Sequence, residues 1–277
     1  MNSKNIESRF AEMGARFKVR EIPSRWSHGD RTWIDPTDYA MDLRRDRRGD
    51  QFFELRVPTH LRESLEVFVL QTQPRLRHLL LLVRKHESKG QVDRFLCGHD
   101  EREWFVAAVP GGASSVRQAM AALQPAEVRQ ALAQSPVSSR KRVARKNRAF
   151  RRQGEWFFVP EPSLVWDEEL ILHNEPLRRG GGKPHRVEEL VRNGGETVYV
   201  CKRFPNGFTP PEYSALLLND PTASRWGWQI MRRNAGVYAR GEVRHSDHAT
   251  ITLAFWHRVM MNTETQSRTM AHVAFLD

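Results

Sequence analysis

Alternation with a period of two recurs along this chain, and it is clearest in ATITLAFWHRV, residues 249–259. In an extended strand Ile251, Leu253, Phe255 and His257 would face one side, and Thr250, Thr252 and Trp256 the other. Shorter runs rich in Val, Leu and Phe fall at 52–57, 65–71, 78–84, 94–98 and 104–109, separated by turn-forming or charged residues. Further runs at 155–159, 169–173, 197–202 and 237–243, with 273–276 at the end, give the second half the same character. Such a pattern demands sheets, mostly antiparallel.

Helical spacing is confined to a few places. Ile6, Phe10, Met13 and Phe17 recur at helical intervals near the start, and the stretch that follows, through Asp50, reads as polar and charged. Val116, Ala119, Met120 and Leu123 form an inner stripe behind a cap at Ser114 or Ser115, and a second short helix is expected over 126–133. Two more are expected at 185–192, behind Pro184, and at 211–218. The expected fold class is therefore α+β. Two mixed domains, 1–133 and 153–277, are read as carrying largely antiparallel sheets and a few helices, joined by a basic linker or helix at 134–152.

That joining segment holds most of the charge. The chain of 277 residues has a formal net charge of +11. Residues 1–133 contribute +4 and residues 153–277 contribute −1, so the remaining +8 lies in nineteen residues that contain no acid. If RKRVARKNRAFRRQ were helical, Lys141, Arg145, Arg148 and Arg152 would form one cationic stripe, with Val143, Asn147 and Phe150 on another face. Guanidinium groups read phosphates through bidentate hydrogen bonds, and each neutralised phosphate releases counterions. Arg140, Lys141, Arg142, Arg145, Lys146, Arg148, Arg151 and Arg152 are thus the candidate nucleic-acid contacts, with DNA and RNA equally open. Trp156, Phe157 and Phe158 follow directly, and strand alternation predicts that at least two of the three are buried.

Arg178, Arg179 and Lys183 flank three glycines ahead of the helix expected at 185, a place where helix amides attract anions. The run lacks the Gly-x-x-x-x-Gly-Lys-Ser/Thr order of a phosphate-binding loop. A third constellation is His245-Ser246-Asp247-His248, which together with His185 supplies imidazoles and a carboxylate for a metal or for proton transfer. His257 lies too far along the same strand to share an ion with His248. Cys97 and Cys201 stand alone, without a metal-binding partner spacing, and read as buried thiols in a reducing compartment.

No apolar run approaches the length of a membrane span, and the N-terminal region lacks the apolar core of a secretory signal. The expectation is a soluble, cytoplasmic protein without a membrane partner. Its leading function is nucleic-acid binding through the arginine-rich segment, with no cofactor. The alternative is a metal-dependent nuclease or phosphoryl-transfer enzyme using His185, His245, Asp247 and His248 with zinc or another divalent ion. A second alternative is an interaction subunit with a protein partner.

Overall fold

The computed structural model describes residues 3–23, 38–86, 91–178 and 183–266. Within them the chain forms four α-helices and sixteen strands in four sheets, antiparallel except for one strand pair. None of the described helices is long and apolar enough to cross a membrane. The run expected at 273–276 lies outside these residues.

Ile6 and Phe10 point inward from α1 (Ser3–Glu12), and Met13 follows them into the core. The helix stops because Gly14 takes φ 81°, so Phe17, expected on the same stripe, instead opens β1 (Phe17–Ile22). The polar stretch before Asp50 conceals a strand, β2 (Ala40–Arg45), whose Met41 and Leu43 are buried. Both flank β3 (Gln51–Pro58), β1 in parallel and β2 antiparallel.

A second sheet runs β4 (Leu65–Gln73), β5 (His78–Lys85), β6 (Gln91–Asp100) and β7 (Glu103–Ala108). Leu79, Leu81 and Val83 pack against the first sheet, while Leu80 faces α2 (Val116–Ala122) with Leu96 and Phe105. Burial on both faces explains why residues 79–83 are a continuous apolar run instead of an alternating one. Ser115 caps α2 through its hydroxyl, and α3 (Ala126–Gln134) follows.

The basic segment is not a helix. Residues 138–150 form turns, and Arg151 then opens a short strand, β8 (Arg151–Gln153). A helix would stack like charges four residues apart. Instead Asn147 accepts hydrogen bonds from the amides of Ala149 and Phe150, turning the chain so that both residues enter a core with Val128, Leu132 and Phe157.

The largest sheet orders β10 (Leu172–Leu177), β11 (His185–Asn193), β15 (Gly236–Arg244), β16 (Ile251–Met261), β9 (Trp156–Pro160) and β8. The helix expected at 185–192 is thus a strand. Its amides and carbonyls pair with β10 on one side and β15 on the other, and Val187, Leu190 and Val191 are buried. Between β11 and β15 the chain makes a smaller sheet, β13 (Phe204–Phe208), β12 (Glu196–Cys201) and β14 (Gln229–Arg233), with α4 (Pro210–Asn219) beside it. In β16 the expected alternation breaks at a bulge opposite Ala239–Gly241: Phe255 turns outward and Trp256 inward. Phe157 and Phe158 are both buried because each face of β9 is covered, Phe158 packing with Val187 and Leu190 and Phe157 with Val128 and Leu132.

Candidate metal centre

Register brings His185 and His245 together. Arg186 of β11 pairs with Arg244 of β15 in an antiparallel ladder, so the next residue out on each strand is a histidine, one opposite the other. Their rings stack with centroids 4.2 Å apart. The chain then turns back through Ser246 and Asp247 and delivers His248, whose ring lies 4.7 Å from His245 and 5.5 Å from His185. One nitrogen from each of the three lies within 4.8 Å of the other two, and all three side chains are buried.

Two members of the trio are costly as they stand. Among the described residues, neither ring nitrogen of His185 or of His248 has a hydrogen-bond partner. A buried polar group left in that state forfeits about 1–3 kcal/mol. Burial, followed by the nearby His245 and His248, pushes the His185 pKa down to about 3. The imidazole is therefore neutral at physiological pH, the form that ligates a metal. Two nitrogens bound to one zinc ion at about 2.1 Å lie no more than about 4.2 Å apart, so occupancy would draw the trio slightly inward. It would also break the 3.2 Å hydrogen bond from the Asp247 amide to Nδ1 of His245, because His245 has to present either that lone pair or a proton there.

A glycine leaves the space. Gly154 turns between β8 and β9 at φ 57°, and a Cβ there would sit 3.1 Å from Nε2 of His248 and 3.2 Å from Nε2 of His185. Gln153 holds this turn in place by donating to the carbonyls of Val243 and Ala249. Gly154, Glu155 and His248 also line a cavity of about 50 Å³, so the space beside the imidazoles continues into a hollow.

A layer of charge surrounds the trio. A carboxylate oxygen of Glu101 lies 3.6 Å from Nδ1 of His248 and accepts from the Ala249 amide at 2.5 Å. Glu101 occupies the turn between β6 and β7 with φ 54°, a conformation uncommon for a side chain of its kind. Arg145 secures it at 2.6 Å and also pairs with Asp100, which Arg152 approaches at 3.3 Å. Burial alone would raise the Asp100 pKa; the two guanidiniums outweigh it and hold the carboxyl below its usual range.

The candidate nucleic-acid contacts thus divide. Arg145 and Arg152 serve the site's own acids. Arg151 donates to the Thr252 carbonyl and Arg142 to that of Val137. Arg140, Lys141, Lys146 and Arg148 are exposed and, among the described residues, form no ion pair. Lys183 pairs with Asp247 at 2.7 Å, while Arg178 is exposed and Arg179 lies outside the described residues. Because β11 is a strand, the helix amides expected after the three glycines do not exist. Cys97 is buried in the core, and Cys201 is buried as well, both as free thiols.

Gly154 and Glu155 were not legible as site residues, and nothing in the sequence tied Asp100 or Glu101 to the three histidines. Comparison of the chain with protein-family models, with curated proteins and with solved structures finds no match.

Proposed function

We propose that this chain is a metal-dependent hydrolase of phosphate esters, with a divalent transition ion held by His185, His245 and His248. The observation that carries the reading is the convergence of three buried imidazoles, two of them beside Gly154 and one, His248, on the wall of a cavity. Three protein ligands with open space at the fourth position are the pattern of a catalytic zinc site, whereas structural sites close all four positions. A bound ion there would supply Lewis acidity to a water or a substrate oxygen.

The chain's own groups supply the rest. Glu101 is positioned to accept a hydrogen bond from Nδ1–H of His248, leaving Nε2 as the ligand, in the manner of a carboxylate orienting a metal-bound histidine. Glu155 follows Gly154 and lines the cavity, where it is placed to take a proton from an attacking water. In the overall reaction, water's oxygen joins phosphorus, the ester P–O bond breaks, and the leaving oxygen gains a proton.

The preference for a polyanionic substrate rests on the basic segment. Val143 and Arg152 line the cavity, and the exposed Arg140, Lys141, Lys146 and Arg148 belong to the same stretch, which suits a nucleic-acid strand. Incubation of labelled single- and double-stranded DNA and RNA with protein and zinc, cobalt or manganese tests this. Cleavage that needs added metal and is abolished by His248→Ala is expected. Retention of intact nucleic acid that survives His248→Ala and disappears on neutralising the exposed cations would favour a second reading, a binding protein without catalysis.

A further inference from the structure

We propose that the cavity beside the three histidines is a recognition pocket for a small uncharged group that donates a hydrogen bond, from an N–H or a hydroxyl, to Nε2 of His78. Trp104, Phe105, Phe150, Phe157, Leu96 and Met120 provide apolar walls. At about 50 Å³ the hollow has space for a few water-sized groups, each needing about 10–15 Å³. It therefore takes one end of a substrate.

His78 opens β5 and also lines this cavity, 7% exposed. Its Nδ1 lies 2.5 Å from the Leu76 carbonyl oxygen, a contact that requires the proton on Nδ1. Nε2 is then an acceptor without a hydrogen-bond partner among the described residues. The ring cannot swing away easily. Gly98 lies opposite it in the sheet, where a Cβ would come within 2.8 Å of both His78 Cδ2 and the Phe105 ring. Burial lowers the pKa of His78, and the nearby Arg152 and Arg145 oppose its protonation while Asp100 favours it, so the acceptor stays neutral.

Charge on the lining selects the ligand. Asp100, Glu103 and Glu155 face Arg152 as the lone basic side chain among lysines and arginines there, and Arg152 already pairs with Asp100. An anion entering this space would meet more carboxylates than cations. The cavity thus receives the neutral part of a substrate, while its phosphate stays at the cavity edge beside His248 and Gly154, where the ion would sit. This role rests on the hydrolase reading; binding in the pocket does not, since no lining group has to be metallated for His78 to accept a hydrogen bond.

Acetamide, acetone and acetate share one shape and differ in carrying a donor, no donor or a charge. Each is titrated into zinc-free and zinc-loaded protein while the imidazole ¹⁵N signals of His78 and the indole ¹⁵N signal of Trp104 on the same wall are followed, the latter also in the variants. Acetamide is expected to shift Nε2 saturably in both forms, with acetone and acetate binding at least tenfold more weakly. His78→Phe removes that preference, and His78→Gln, which keeps an acceptor oxygen near the same place, preserves it; both keep their zinc. Should His78→Phe fail to fold, the wild-type probe series and His78→Gln still decide the matter. Equal binding of acetone and acetamide, no acetamide binding, or a preference that survives His78→Phe overturns the proposal. Loss of zinc binding with the acetamide preference intact would instead sink the hydrolase reading alone.

Discussion

The basic segment and the histidine trio carry opposite kinds of signal. The segment is contiguous, dense in charge and conspicuous in the sequence, yet two of its cations are consumed by Asp100 and Glu101 and its chain is a series of turns. The trio is assembled from the start of one strand and the far end of another, and burial keeps His185 uncharged at neutral pH. Local density of charge measures what a segment has to neutralise. Convergence of buried imidazoles measures what a fold leaves available.

Substitutions in the trio should separate the two regions most sharply. His185→Ala, His245→Ala or His248→Ala is expected to weaken zinc binding by on the order of 100-fold or more, given the energy that each ligand contributes to structural zinc sites. Neutralising Arg140, Lys141, Lys146 and Arg148 together should leave it within a few-fold, as read by competition with a chromogenic chelator.

Gly154→Ala comes next. Its methyl would occupy the space between the two Nε2 atoms, and a left-handed backbone position disfavours it by about 1 kcal/mol or more. Zinc affinity should fall by on the order of tenfold or more, with only a modest drop in Tm. A variant that binds zinc normally would place the ion elsewhere.

Acid should distinguish the regions in the metal-free protein. The His185 pKa in the folded chain is about 3, against about 6.5 when exposed. Between those values the unfolded chain holds a proton that the folded chain does not. Stability from this residue is therefore complete above about pH 6.5 and is lost as pH falls toward 3, at up to about 1.4 kcal/mol per unit. Urea melts across this window should show the slope, and His185→Phe should flatten it.

Glu101→Gln keeps the shape of the turn but removes the charge beside His248 and opposite Arg145. Metal affinity is expected to fall about tenfold, the scale of other groups that orient metal-bound histidines. The smallest effect is expected from Arg148→Ala, which should lower the salt dependence of nucleic-acid binding by roughly one phosphate contact and leave zinc unchanged.

Much of the strand framework was legible because alternation and flanking turn residues are local. The strands at 52–57, 78–84, 104–109 and 237–243 each needed only their own letters. His185–Asn193 was not legible, since HRVEELVR suits a helix by composition and becomes a strand only through pairing with Leu172–Leu177 and Gly236–Arg244. The three histidines could be named as candidates, but their meeting depends on a register between strands some sixty residues apart, which no local pattern encodes. Gly154 gave no warning at all, because its role is the space it leaves beside two rings distant in sequence.

Cobalt(II) titration of the metal-free protein, followed by visible absorption, tests the central claim most directly. One ion per chain is predicted, with an intense four-coordinate spectrum that zinc displaces and that His185→Ala, His245→Ala and His248→Ala each abolish. A spectrum unchanged in those variants, or no specific cobalt binding to the folded wild-type chain, would contradict it.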